Sequence, residues 1–462
     1  MNRLIRSRAQ IIRNGGSLAN QNARRFSLDA FEEALEAVDP YRCLQSQMKV
    51  TDKRLFVGPL SIPLLSFREI FILAVGKASI LMMRAALRTL VDFPVRGILV
   101  TPKDRRLPRF DNRIETFLTG HPIPNQVGLR ASQRVMEAAS SMAEDHLLLC
   151  LISGGASALL PAPAKGITIH DKIATTHQLL SSGANIHEIN IIRRHLSQLK
   201  GGRLVEMCRA REIISLIISD VPGNHLPDIG SGLTVEDPTS YQEAVEIMKR
   251  HDQWREAPLR IREHLRKGVR GAISETPKPG SPSFQRVHNI IIADNKDACK
   301  AAERSLKERK VHCTILSTSA ELEARVMGKL LATFAAKPKH SSRIPRPHGA
   351  ILIGGECSVR LSGKGEGGRN QVVALSAVEE IEGLNGTVIA ALGTDGIDGN
   401  SGAAGAIVDG NTAQRARRRR LDPNRFLARD DSGAFFSRLG DALVTRSTGT
   451  NVGDIYLMIS LC

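Results

Sequence analysis

Residues 70–90 read IFILAVGKASILMMRAALRTL. Six apolar residues, Ile70–Val75, run without a break. The turn Gly76-Lys77-Ala78-Ser79 follows, and then an apolar pattern with helical spacing. An unbroken apolar run of this length, bounded by a glycine turn, reads as a strand covered on both faces. The same order recurs. Val95–Val100 is a second strand. Leu147–Ile152 leads into Ser153-Gly154-Gly155-Ala156-Ser157, and Ile213–Ile218 leads into Ser219-Asp220-Val221-Pro222-Gly223. A helical region at about 170–209 separates the last two. Strands alternating with helices predict a parallel sheet with helices on both faces.

A chain of 462 residues exceeds one ordinary core, so its length alone points to two domains, with three as the alternative. From Lys267 to Gln285 large apolar residues are sparse and Gly, Pro and Ser abundant, so 267–285 reads as a linker. The expected division is 27–266, an N-terminal α/β domain, and 286–462, a C-terminal α/β domain opening on a strand at Val287–Ala293. Further strands are expected at 349–353, 357–362, 387–392 and 453–459, after an exposed loop at Lys337–His348. The predicted fold class is α/β. Two domains each carry a mostly parallel sheet with helices on both faces, and the active site lies in the cleft between them.

Residues 1–26 hold six arginines, no lysine and no acid, and contribute +6 of the net charge of +17. Leu4, Ile5, Ile11 and Ile12 share a helical face, and Arg24-Arg25-Phe26-Ser27 resembles a processing site. Residues 1–26 therefore read as a mitochondrial transit peptide, with the cytoplasm as the alternative location. The run Arg415–Arg420 lacks flanking aromatics in a chain that is 4% aromatic, so it reads as a solvated helix face and no nucleic-acid partner is expected. The longest apolar runs are strand-sized, so no membrane span is expected. Seven scattered cysteines without a CxxC pair read as reduced thiols.

In open α/β sheets ligands bind beyond the carboxyl ends of the strands, where the polar turns lie. Gly76-Lys77 offers backbone N–H groups and a cation for phosphate or carboxylate. It is not a Walker loop, because residue 71 is Phe where the first glycine should stand. Ser153, Gly154, Gly155 and Ser157 read as an anion nest or a plain turn. Asp220 reads as a base, a metal ligand or a turn residue. The stretch GGECSVRLSGKGEGGRNQ (354–371) sets Gly354, Gly355, Glu356, Lys364, Gly367 and Gly368 before Arg369 and Asn370. Gly363, Gly365 and Gly368 match GxGxxG formally, yet Arg369 suits a carboxylate or phosphate better than a dinucleotide. Asp395 and Asp398 could hold Mg²⁺ or mark an Asp-Gly turn. Thr450 and Asn451 lie in a further polar turn. His187-Glu188 is not HExxH, since residue 191 is Ile, and reads as a surface pair. Two cations, a base, candidate metal acids and glycine nests are what phosphoryl transfer needs.

These motifs also carry a resemblance. AVGKAS (74–79), TGHPIPN (119–125), LISGGASALLPAP (151–163), GANIHEINIIRRHLSQLKGGRL (183–204), ISDVPG (218–223), GTDGIDG (393–399) and TGTNVGD (448–454), with the 354–371 stretch, resemble the non-Walker glycerate kinases. The C-terminal part resembles the MOFRL domain of that family, and the motifs span about 28–462 in the same order. The resemblance implies transfer of the ATP γ-phosphate to the 2-hydroxyl of D-glycerate, with Mg²⁺, and places the family's lysine, aspartate and arginine at Lys77, Asp220 and Arg369. A homodimer is carried as the expected assembly. The chain departs from the family at Asn224 and Gly402, where the pattern has Asp. That departure motivates an alternative, a catalytically impaired member that binds metabolites. A hydroxypyruvate reductase is a further alternative and would need a nicotinamide site.

Overall fold

The computed structural model describes residues 4–105, 107–336, 349–359, 363 and 365–461. The expected loop at 337–348, residues 360–362 of the expected strand 357–362, and Lys364 lie outside the described residues. The chain forms two compact units. One is Pro40–Ser219 with Asn224–Ile292; the other is Met1–Asp39 with Asp220–Gly223 and Ala293–Cys462.

The first unit is built on a six-stranded sheet. Its order is Ile114–Thr119, Val95–Pro102, Glu69–Val75, His146–Ser153, Glu212–Ile218, Val287–Ala293. The first five strands pair in parallel. The apolar runs are buried along almost their whole length, as their unbroken hydrophobicity requires. The chain first builds outward from Glu69–Val75 to one edge, then resumes at His146–Ser153 and builds to the other. The strand order therefore reverses between these two central strands, whose register pairs Val75 with Ile152. The predicted helical region becomes three helices, Ile169–Ser181, Ile186–His195 and Arg203–Met207. Sequence reading missed a small antiparallel sheet at Met48–Pro63, whose first turn places Asp52 and Lys53 at positive φ.

Two boundaries differ from the sequence expectation. Val287–Ala293 does not open the C-terminal unit; it is the edge strand of the first sheet, and Ile213 N–H donates to Arg286 O (2.9 Å). A Gly/Pro-rich stretch here connects a helix to a strand of the same sheet. The second difference is at the N-terminus. Helices Arg8–Asn14 and Leu18–Ala37 belong to the second unit. Arg24 is fully buried, with Nε on Asp409 Oδ2 (2.5 Å) and Nη1 on Asp441 Oδ1 (2.8 Å), and Arg8 pairs with Asp29 and Glu32. Residues 8–26 are thus structural, and a removable segment 1–26 does not fit this packing.

The second unit's sheet runs His312–Ala320, Gly349–Gly355, Asp454–Ser460, Thr387–Gly393, Gly405–Asp409, Ala442–Leu443. This sheet is mixed rather than mostly parallel. Asp454–Ser460 enters between two strands antiparallel to both, and Gly405–Asp409 pairs antiparallel with Thr387–Gly393. Helices cover both faces. Ile351, Ile353, Ile389, Ala391, Tyr456 and Met458 face a core shared with Met327, Leu331, Val373 and Phe435. The alternate residues lie on the side of the helices Leu18–Ala37 and Asn295–Glu308.

Candidate functional site

In the first unit, the reversal of strand order brings two glycine turns side by side. Gly76 (φ 125°) follows one central strand and Gly154-Gly155 (Gly155 φ 88°) follows the other. A Cβ on Gly76 would overlap the side chain and carbonyl of Ser153, so glycine is required for the approach. Lys77 N–H donates to Gly154 O (2.9 Å), and Ala78 N–H donates to Ser153 Oγ (3.0 Å). A Cβ at Gly155 would touch Lys77 Cγ at 3.6 Å. Gly76, Lys77, Ser153, Gly154 and Gly155 therefore form one turn cluster. Ser157 follows two residues on, in the short helix Ala156–Leu159, with its Oγ 2.8 Å from Ser231 Oγ. This is the crevice where doubly wound sheets bind ligands.

In the second unit, the helix Arg369–Ser376 starts beside the end of the strand Gly349–Gly355. Arg369 holds a two-pronged grip on Asp454, Nε to Oδ2 at 2.5 Å and Nη2 to Oδ1 at 3.1 Å, while its Nη1 meets Glu356 Oε1 at 2.6 Å. Burial opposes charge on Arg369, and the negative charges of Asp454 and Glu356 outweigh it, so its pKa is raised. Asp454 also accepts from Asn370 Nδ2 (3.1 Å) and Tyr456 Oη (2.9 Å). Its register partner is Gly355, so the Gly354-Gly355-Glu356 turn and the arginine meet at one strand end. Sequence reading did not single out Asp454, although it closes the quoted motif TGTNVGD.

Several expected roles change. Asp398 is 1% exposed and accepts from Asn370 N (3.0 Å) and Gln371 N (2.7 Å). It satisfies the start of the arginine helix, which suits its charge to the positive end of the dipole. Burial nevertheless pushes its pKa up to about 7. Asp398 is thus a helix-start acceptor, and its place as a metal ligand is withdrawn. Asp395 is half-buried and accepts from Ile397 N (3.0 Å). Thr450 is buried and donates to Val38 O (2.8 Å), so it serves the fold. Asn451 Nδ2 donates to Asp220 Oδ2 (2.6 Å), which ties the expected base to the turn before Asp454–Ser460. The glycines of the 363–368 loop are required by protein backbone. Added Cβ atoms would strike Arg429 and Asp430 at Gly363 and Gly365, Ser432 and Gly433 at Gly367, and Asp398 at Gly368.

Residues 26–266 match the family described as "Domain of unknown function (DUF4147)", and residues 349–454 match the MOFRL family. A glycerate 2-kinase of Pyrococcus horikoshii is 36% identical over 437 residues, covering 94% of this chain and 97% of that one. A D-glycerate 2-kinase of Thermotoga maritima is 32% identical, covering 95% and 98%. The crystal structure of glycerate kinase from Thermotoga maritima superposes with a TM-score of 0.80 at 32% identity, over 94% of this chain and 99% of that one. The chain belongs to the glycerate kinase family. A relative from Agrobacterium vitis, 36% identical over 83% of this chain and 85% of its own length, bears the name putative hydroxypyruvate reductase. The lysine turn and the arginine helix, both expected from the sequence, are each built from several converging backbone and side-chain contacts.

Proposed function

We propose that the protein transfers the γ-phosphoryl group of ATP to the 2-hydroxyl of D-glycerate. Membership of the glycerate kinase family carries this reading, and the geometry of the lysine turn and the arginine helix supports it. The glycerate hydroxyl oxygen forms the new bond to phosphorus as the β–γ bridge breaks, and ADP leaves. Asp220, held by Asn451 through one carboxylate oxygen, takes the hydroxyl proton. Lys77 and the N–H groups of its turn stabilise the transferring phosphoryl oxygens. Arg369, oriented by Asp454, binds the glycerate carboxylate; its contact with the more exposed Glu356 is the one that substrate displaces. Of the two acids read from sequence, Asp395 fits Mg²⁺, which accepts one or two carboxylates and keeps its remaining positions for water and phosphate oxygens. When bound, Mg²⁺ would neutralise charge on the ATP phosphates.

The deciding experiment incubates the protein with ATP, Mg²⁺ and D-glycerate and reads the product by phosphorus NMR. The expected product is 2-phosphoglycerate, lost in Asp220→Ala and Lys77→Ala. Near-normal kcat in either variant would remove the role assigned to it. Consumption of NADH with hydroxypyruvate in the same preparation would favour the reductase reading instead. The impaired-member reading rests on Asn224 and Gly402. A Cβ at Gly402 meets nothing within 4 Å, so Gly402→Asp combined with Asn224→Asp is a well-tolerated test of it. Activity gained only in that double variant would establish impairment. Assembly as a homodimer is part of this proposal and is measured by light scattering. Residues 8–26 pack into the second unit, so mitochondrial import, or residence in the cytoplasm as the alternative, would leave them in place.

A further inference from the structure

Outside the elements assigned above, the first unit gathers two imidazoles and a carboxylate at one point. His187 lies in the first turn of the helix Ile186–His195, while His225 and Asp228 lie in the turn that follows Asn224. His187 Nδ1 is 2.9 Å and His225 Nδ1 2.7 Å from the same oxygen, Asp228 Oδ2. The three donor atoms all fall within 4.8 Å of one another. Both histidine side chains are about half exposed, at 49% and 50%, while that of Asp228 is 6% exposed.

Asp228 is held from behind. Its Oδ1 accepts from Arg194 Nη1 (3.1 Å), which leaves Oδ2 turned to the two rings. The arginine does not cancel the site's negative charge, because Arg194 also pairs with Asp237 (3.0 Å), whose side chain is fully buried. Two carboxylates and one guanidinium leave a net charge of −1 behind the histidines. A neutral imidazole can carry its hydrogen on Nε2, which frees Nδ1 as a lone-pair donor.

We propose that His187, His225 and Asp228 bind a divalent transition cation of the zinc type. Two imidazole nitrogens and one carboxylate oxygen suit Zn²⁺, Co²⁺ or Ni²⁺ and disfavour Mg²⁺, which takes oxygen ligands. Three protein ligands leave a coordination position for water or an anion. Two hydrogen bonds lead from the helix that carries His187 to Ser157, two residues beyond Gly155. Asn190, one turn along the helix from His187, accepts from Ser231 Oγ, and Ser231 meets Ser157. An ion here would fasten the 225–231 turn to that helix and so fix the position of Ser157.

The test is a Co²⁺ titration of the full-length, untagged protein, followed by visible absorption. The expected result is one Co²⁺ per chain with d–d bands, no thiolate charge-transfer band, displacement by Zn²⁺, and indifference to excess Mg²⁺. His187→Ala and His225→Ala remove half-exposed side chains, and circular dichroism checks that each variant is folded. Each should weaken binding by more than about 100-fold, the upper range for losing a mere outer-sphere partner. Unchanged affinity in the folded variants, a thiolate band, or no stoichiometric binding to the wild type would each overturn the proposal.

Discussion

Three charged residues of this chain show what a linear reading reaches and where it stops. Arg369 stands out in the sequence, because glycines and an apolar helix pattern frame it. Asp454 does not, because its meaning comes from an arginine 85 residues away across a strand pairing. Lys172 was likewise unreadable as anything but a surface lysine on a helix. In the fold its Nζ donates to Pro161 O (2.6 Å), and burial, with a smaller contribution from Arg193, lowers its pKa from 10.5 to about 7. A base whose folded pKa is depressed makes the folded state bind fewer protons than the unfolded state between the two values. Stability attributable to Lys172 should therefore rise as pH climbs from about 7 towards 10, by an amount on the order of a few kcal/mol. Below about pH 7 both states carry the proton and the full cost of burying it is felt. Urea unfolding at several pH values should show a shallower rise for Lys172→Met than for the wild type, since methionine fills similar space without a charge. Parallel pH profiles would show that Lys172 is protonated in the fold across the whole range.

At the scale of elements, strands were the most legible part. The central runs of the first sheet, Glu69–Val75, His146–Ser153 and Glu212–Ile218, are buried on both faces, so they needed no alternation to be recognised. Helices with polar faces were readable as regions but not as boundaries, and 170–209 divided into three helices, at the capped start Asn185 and at Gly202, whose φ is 80°. The N-terminal helices were misread for a physical reason. An arginine-rich segment without acids looks unpaired within its own window, and the acids that neutralise Arg24 are Asp409 and Asp441, on the far side of the chain. Burial raises the pKa of Asp441, but Arg24 and Arg415 outweigh it and hold the carboxyl below its ordinary value. Removing Arg24 would leave buried carboxylates short of a partner. Arg24→Ala should lower stability by about 3–5 kcal/mol, the usual cost of breaking a buried pair from one side. The check is chemical denaturation of the full chain. A loss below about 1 kcal/mol would mean that water or Arg415 takes over, and that the N-terminal helices dock by apolar contact alone.

At the scale of the whole molecule, the order of residues along the chain is not the order of the folding units. The first sheet takes its edge strand from beyond the Gly/Pro-rich stretch, and the second unit takes helices from both chain ends. A boundary drawn from composition at 267–285 marked a real change in local sequence, but it could not reveal which sheet Val287–Ala293 would join. The unit containing Ala293–Cys462 is covered on one sheet face by the helix Leu18–Ala37, which packs on Asn295–Glu308 and carries Phe31, Ala34 and Leu35 into the interior. Residues 293–462 expressed alone would expose that apolar surface, together with Asp409 and Asp441 lacking Arg24. Burying polar or charged groups without partners is costly, and an uncovered apolar face favours aggregation. The fragment should therefore be insoluble or lack a cooperative thermal transition. Joining residues 1–39 to 293–462 through a flexible Gly/Ser linker should restore a single cooperative transition, and Arg24→Ala in that fusion should lower its midpoint. A soluble, cooperatively melting 293–462 fragment without the N-terminal helices would refute the assignment, because the second sheet would then be complete without them.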